Sequence, residues 1–253
     1  PTRTFWTQDQ MKTKPLPVLA SSAAAYRHAL WADASGVKTV DLGQGCWLLH
    51  GKLPQCLMPN ASERVELWSA QPKNRENFEM YGRSVVVPRQ VRLYSRAPLV
   101  VRVAGKEFDA VKVGSGHPTF LERLLTGVPQ CCEYNAVVAN WYSDGADYIG
   151  WHGDKERQID ADSAPIVSVS LGAERRFQVR DETSRRLVFN ELLGDGDCLV
   201  MGGRGFQKMF KHRVPKMIAQ RDGPIGRRIS LTVRKYMQKK PVRAKRICAD
   251  VYK

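Results

Sequence analysis

No stretch of this 253-residue chain approaches the ~20 consecutive apolar residues that a membrane-spanning helix requires. Its opening, Pro1 to Lys14, lacks the apolar centre of a secretory signal, so a soluble protein working inside the cell, without a membrane partner, is expected. There is no Cys-x-x-Cys pair among Cys46, Cys56, Cys131, Cys132, Cys198 and Cys248, and several of these lie in apolar runs. That argues against zinc fingers and disulfide scaffolds and for small, reduced, buried thiols. Internal repeats are absent as well. Acidic residues are scarce: 25 Asp plus Glu face 40 Lys plus Arg, a formal charge of +15. Such a surplus favours a polyanionic partner through phosphate neutralisation and counterion release, with nucleic acid first in line, although a basic surface kept for solubility has the same composition. What is present, 43% hydrophobic and 26% charged residues, suits one ordinary globular core.

Residues 1–60 have weak periodicity apart from a short helix around Ala23 to Trp31, and are read as an N-terminal extension without assigned chemistry. A second helix starts at Ser62, where Glu66 falls one place late for a capping box, and ends near Pro72. Val85 to Val87, Leu99 to Val103 and Phe108 form short β-branched runs cut by Pro and Gly, followed by a helix at Thr119 to Leu125. Beyond it, Ala136 to Tyr142, Ile166 to Leu171, Arg176 to Val179, Leu187 to Leu192, Cys198 to Met201 and Ile229 to Val233 read as strands between Gly/Asp turns. Many short strands predict an all-β core with flanking helices, a sandwich or barrel of which the jelly roll is one form. Residues 238–253, with Lys239, Lys240, Arg243, Lys245 and Arg246, form a basic tail that suits phosphate contact, localisation or simple solvation.

In extended backbone, alternate side chains share a side, so His152 and Asp154 of His152-Gly153-Asp154 present an imidazole and a carboxylate together. A hydrogen-bonded surface pair gives the same triplet. His212, reached after the Gly196-Asp197 turn and an apolar strand, adds a second imidazole. Two imidazoles and one carboxylate leave coordination positions open, the arrangement of non-haem iron(II) oxygenases; zinc takes a closed tetrahedron or one activated water. Downstream, Arg228, Ser230 and Thr232 share one face of a strand ending at Arg234. A guanidinium matches a carboxylate through two parallel hydrogen bonds, although a basic edge strand would carry the same arginines.

The order Asn140-Trp141-Tyr142, His152-Gly153-Asp154, Pro165 to Gly172, Phe177, Gly196-Asp197, His212-Arg213-Val214-Pro215 and Gly226 to Arg234 resembles the AlkB family of oxidative dealkylases, from about Tyr81 to Tyr236. The resemblance implies a double-stranded β-helix (jelly roll) over residues 131–237, with iron(II) held by His152, Asp154 and His212. It implies 2-oxoglutarate and oxygen as cosubstrates, with Asn140, Tyr142, Arg228, Ser230 and Arg234 around the 2-oxoglutarate. Ser230 stands where the family usually has Asn, which shortens one polar contact. The implied activity is oxidative demethylation of 1-methyladenine- or 3-methylcytosine-type lesions in nucleic acid.

Met80-Tyr81-Gly82 ahead of Val87-Pro88-Arg89-Gln90 and Tyr94 is similar to the family's duplex-DNA repair branch, so residues 61–130 are read as a nucleotide-recognition lid with a finger loop. By that match Tyr81 wedges into the base stack, while Arg89, Tyr94, Glu156 and Arg175 contribute to substrate binding. A half-exposed loop aromatic at Tyr81 and a solvated acid at Glu156 are the plain alternatives; Arg175, after the Ser-Leu-Gly element, supports the site behind a metal or cosubstrate carboxylate, with phosphate or surface contact as its plain alternative. Val101 and Val103 stand where this branch has aromatics, and stacking is worth ~1–3 kcal/mol per base, so the clamp is weakened or rebuilt. Duplex DNA is the favoured partner, with single strands or RNA as alternatives, and the protein is expected to work as a monomer in the nucleus, with cytoplasm or mitochondrion as the alternatives. A nucleic-acid-binding module without turnover is the rival from another class.

Overall fold

The computed structural model describes residues 22–80, 83–103, 106–114, 118–129, 132–156 and 158–237. It begins with helix α1 (Ala23–Leu30), strands β1 (Lys38–Gly43) and β2 (Cys46–Lys52), and helix α2 (Ala61–Ser69). Two hairpins follow, β3 (Asn77–Met80) with β4 (Arg83–Val86) and, after β5 (Gln90–Ser95), β6 (Val100–Val103) with β7 (Lys106–Asp109). β8 (Val111–Lys112) and helix α3 (Phe120–Gly127) lead into β9 (Ala136–Tyr142), β10 (Ile149–His152), β11 (Ile166–Gly172), β12 (Arg175–Asp181), β13 (Leu187–Leu193) and β14 (Asp197–Gly202). A turn of helix, α4 (Phe206–Met209), precedes β15 (Phe210–Val214), and a second, α5 (Ala219–Asp222), precedes β16 (Arg228–Arg234).

Eight strands form the larger sheet in the order β1-β2-β14-β11-β16-β9-β5-β8, and four form the smaller in the order β10-β15-β12-β13. The two sheets make a jelly roll with flanking helices. Its central strands are buried at nearly every position because both faces of the large sheet are covered. On one face Trp47, Leu49, Val137, Trp141, Val167, Val169, Leu231 and Val233 pack with Tyr26, Leu67, Phe120 and Leu124 of the helices. On the other, Leu48, Leu199 and Met201 meet Phe177, Val179 and Phe189 of the small sheet. Period-two alternation then puts Asn140 and Tyr142, Ser168 and Ser170, and Arg228, Ser230, Thr232 and Arg234 on the face toward the small sheet. A polar lane inside an otherwise apolar sandwich is how the fold makes room for a site.

Two expectations change. β1 and β2 lie within the stretch read as an extension, yet β2 pairs along its length with β14, from Lys52↔Asp197 to Trp47↔Gly202. The cap of α2 is Asn60 rather than Ser62: its side chain accepts from the Glu63 amide at 2.9 Å while Glu63 accepts from the Asn60 amide at 2.8 Å. That is a complete capping box, two residues earlier than expected. No helix among the described residues is long and apolar enough to cross a membrane.

Candidate active site

β10 and β15 run antiparallel with His152 directly opposite His212, which brings the two imidazoles together, ring centroids 4.1 Å apart. His152 Nδ1 lies 2.8 Å from the Gly150 carbonyl. A carbonyl only accepts, so Nδ1 carries the proton and Nε2 keeps its lone pair for a ligand. Asp154 follows β10 and sends its two carboxylate oxygens to within 3.8 Å of His152 Nε2 and 4.0 Å of His212 Nε2. One ligand atom from each of the three lies within 4.8 Å of the others, a group able to hold a metal. The carboxylate is oriented from behind: the Asp154 amide donates to Gln207 Oε1 at 3.0 Å, and a Cβ at Gly153 would stand 2.4 Å from the Gln207 carbonyl. Only glycine fits between these two ligands without displacing that backbone.

The electrostatics prepare the three groups for a cation. Burial alone would raise the Asp154 carboxyl, but Arg234 at 2.9 Å, the two imidazoles and Arg89 outweigh it and hold it below the usual carboxylate range. Burial, with His152 alongside, pushes His212 down to about 3. His152 is lowered by burial too, against the pull of Asp154. At neutral pH the site therefore offers one anionic carboxylate and two neutral imidazoles, the protonation states that metal ligation needs. Asp154 Oδ2 and His212 Nδ1 are buried without a hydrogen-bond partner.

Behind Tyr142 of the cavity wall lies a cation without an ion-pair partner among the described residues. Arg228 is fully buried, donates from Nη2 to Ser170 Oγ at 2.8 Å and stands 5.2 Å from the Tyr142 ring centre. Its Nε and Nη1 have no hydrogen-bond partner among the described residues, and burial pushes its pKa down to about 10 against the pull of Tyr142 and Asp197. Unpaired N–H groups on a buried guanidinium are costly, and a carboxylate is the group that best relieves them. Arg89 Nε donates to Asn140 Oδ1 at 2.7 Å, and Ser230 Oγ lies 3.3 Å from Ser168 Oγ. The residues thus fit iron at the imidazole–carboxylate group and a dicarboxylate beside it.

A cavity of about 1310 Å³ opens from this centre and is lined by Arg89, Asn140, Tyr142, His152, Asp154, Glu156, His212, Ser230 and Arg234 among others. Arg228 sits one residue beyond the lining, against Tyr142. Two of the substrate contacts expected from sequence do not reach it. Tyr94 is fully buried in the core under the helices, because its position on β5 faces away from the cavity. Arg175 is also fully buried, and its guanidinium donates to the carbonyls of Asp144 at 2.9 Å, Asp147 at 2.6 Å and Pro215 at 2.9 Å. It ties two loops together and stands 5.3 Å from the Tyr142 ring centre, a supporting place behind the cavity wall and not a contact with base or phosphate. Tyr81 lies outside the described residues. Glu156 stands in the cavity, its carboxyl raised by burial against the pull of Arg234, 3.7 Å away. Sequence reasoning missed Gln207, whose place depends on the α4 turn, and the pair Phe78 and Phe108, 5.4 Å apart on neighbouring hairpins at the cavity wall beside Val101 and Val103.

The chain matches the 2OG-Fe(II) oxygenase superfamily over residues 45–234. It is 36% identical to the DNA oxidative demethylase ALKBH2 of Bos taurus over 228 residues, covering 81% of this chain and 77% of that protein. Against the Homo sapiens protein of that name the identity is 32% over 192 residues, 68% of this chain and 70% of the other. The Arabidopsis thaliana protein is 27% identical over 257 residues, covering 92% and 78%. In three dimensions the fold is similar to the solved structure of OsALKBH1, with a TM-score of 0.51 and 15% identity over 78% of this chain and 100% of that one.

Proposed function

Because the chain belongs to the 2OG-Fe(II) oxygenase superfamily and, within it, to the AlkB family, we propose that it demethylates alkylated bases in DNA by oxidation, reversing the damage directly. The observation that carries this reading is the convergence of His152, Asp154 and His212 on a cavity whose wall residue Tyr142 backs onto a buried guanidinium with no ion pair among the described residues. Held there, iron(II) with 2-oxoglutarate and oxygen supplies the oxidising power that an N-methyl C–H bond needs.

The protein's own groups do the positioning. Gly150 keeps the His152 proton on Nδ1, and Arg234 and Gln207 fix Asp154. Arg228 takes one carboxylate of 2-oxoglutarate, with Tyr142, Asn140, Ser230 and Arg234 around the remainder. Glu156 faces the cavity and suits the exocyclic amine of adenine or cytosine, as a carboxylate accepts from such a group. Val101, Val103, Phe78 and Phe108 form the apolar side of the base pocket, where two rings set back on the hairpins stand in for an aromatic clamp. A DNA substrate suits a nuclear setting, and the +15 charge suits DNA. The test is formaldehyde release from duplex and single-stranded oligonucleotides carrying 1-methyladenine or 3-methylcytosine, with iron(II) and 2-oxoglutarate. Release is expected from the native chain and at least 100-fold less from His152→Ala, on the order of 3 kcal/mol of transition-state stabilisation. Release from RNA but not DNA would reassign the substrate, and tight DNA binding without release from any of them would leave a binding module.

A further inference from the structure

The outer face of the small sheet carries a second feature that the cavity does not use. β12 and β15 pair with Arg180 opposite Lys211 and Gln178 opposite Arg213, one register step from the Val179↔His212 pair that faces inward. Alternation therefore sends Arg180, Lys211 and Arg213 outward together. Trp151 lies on the neighbouring strand β10, and both the Arg180 and Arg213 guanidinium carbons lie against its ring, 4.4 and 4.3 Å from the centre. Lys155 comes up beside Lys211, so two ammonium groups share this end of the face.

Like charges placed directly opposite in a sheet are destabilising, and here a Lys and an Arg are held so, with two more cations close by. Glu182 offsets little of this, since it is 3.8 Å from Arg180 and 3.0 Å from Arg185. The arrangement is costly in isolation and favourable against a polyanion. Arg213 spends its Nε on Gln178 Oε1 at 2.7 Å, which leaves its Nη groups, and those of Arg180 against the same indole, for oxygens such as a phosphate offers. Trp151 and Lys155 also line the cavity, so the cationic face runs without interruption into the mouth of the site.

We propose that Arg180, Lys211, Arg213 and Lys155, organised around Trp151, form a phosphodiester-binding platform that holds the nucleic-acid backbone outside the cavity while one nucleotide is inside it. The platform rests on the nucleic-acid reading of the site, but its test does not depend on turnover. Binding of an unmodified, fluorescently labelled duplex is followed by anisotropy across a salt series for the native chain, for Arg180→Gln/Lys211→Gln, and for the control Lys38→Gln/Lys112→Gln. The control removes the same charge from exposed positions on β1 and β8, the outermost strands of the other sheet.

Each lost phosphate contact lowers the slope of log K against log salt by ~0.9, so the platform variant should lose between about 1 and 2 from its slope while the control keeps the native value. An unchanged slope in the platform variant, or an equal drop in the control, overturns the proposal. Arg180→Lys keeps the charge while losing the stacked fork; it should hold the slope yet weaken binding several-fold, and full native affinity would remove the indole from the account. Thermal melts of all variants separate lost binding from lost fold. Formaldehyde release by the native chain is measured in parallel: turnover with an unaltered slope sinks the platform alone, and an altered slope without turnover sinks the demethylase reading alone.

Discussion

Arg228 is the residue at which chemistry and stability are most directly opposed. It carries a buried charge with two unpaired N–H groups, so it costs the ligand-free protein stability and returns it when a carboxylate arrives. Arg228→Met, similar in length and free of charge, is therefore expected to leave the melting temperature of the ligand-free chain unchanged or slightly raised. The same variant should bind 2-oxoglutarate on the order of 100-fold more weakly, the loss of about 3 kcal/mol that charge-assisted hydrogen bonds supply. Scanning calorimetry of the ligand-free chain reads the first, and calorimetric titration with 2-oxoglutarate in the presence of manganese(II) reads the second. A variant that unfolds several kcal/mol more easily would make Arg228 a structural residue held by Ser170 and Tyr142. At this scale His152, Asp154 and His212 were legible because strand alternation is local and the third ligand follows an apolar strand. Tyr94 was misread because burial is a property of the assembled sheet and it lies on the helix-covered face, while Arg175, with donors on three carbonyls of distant loops, stands behind Tyr142 and not against the substrate.

β14 begins at Asp197, and this one carboxylate secures the turn before it and the strand beside it. Its Oδ2 accepts from the Gly194 amide at 2.6 Å, and its Oδ1 faces Lys52 Nζ at 2.9 Å and His50 Nε2 at 3.5 Å, across the β2–β14 ladder. Burial would raise the Asp197 carboxyl, but these contacts outweigh it and hold it at about 2. A carboxyl whose folded value lies below its unfolded value of ~3.9 stabilises the fold above that value and loses the contribution as pH falls through the folded one; the size here is about 2 kcal/mol. Asp197→Asn should thus unfold at lower urea than the native chain at pH 7 and 5, with the gap narrowing at pH 3. A gap that is constant with pH would assign the loss to geometry and not to charge. Elements were legible in their centres, as with Ala136–Tyr142, because apolar β-branched runs are strong signals. β10 and β15 were not, since they are short and carry the polar residues of the site: His152 ends one, and Lys211, His212 and Arg213 occupy the middle of the other.

Residues 1–60 look dispensable in a linear reading, and the pairing of β2 with β14 makes part of them integral to the sandwich. β2 contributes Trp47, Leu48, Leu49 and, just beyond it, Leu53, all at most 4% exposed. Trp47 and Leu49 complete the helix-covered core, and Leu48 the core between the sheets. The strand was overlooked because it is apolar on both sides, a pattern that period-two alternation does not pick out, although Gly43, Gln44 and Gly45, all at positive φ, mark the tight turn that delivers it. Burying four such side chains is worth roughly 1.5–3 kcal/mol each, so losing them removes at least about 6 kcal/mol from a domain whose total is typically about 5–15 kcal/mol. Their removal also exposes the backbone edge of β14, next to Ser168 and Ser170 of β11 in the cavity lane. A chain starting at Asn60 should therefore retain β-rich circular dichroism at most, bind a hydrophobic dye, melt without a cooperative transition and fail to bind 2-oxoglutarate, even though every proposed iron and cosubstrate ligand lies within it. A sharp melt with 2-oxoglutarate binding intact would mean that β11 alone holds β14 in place, and that the first two strands are an addition to a core already complete without them.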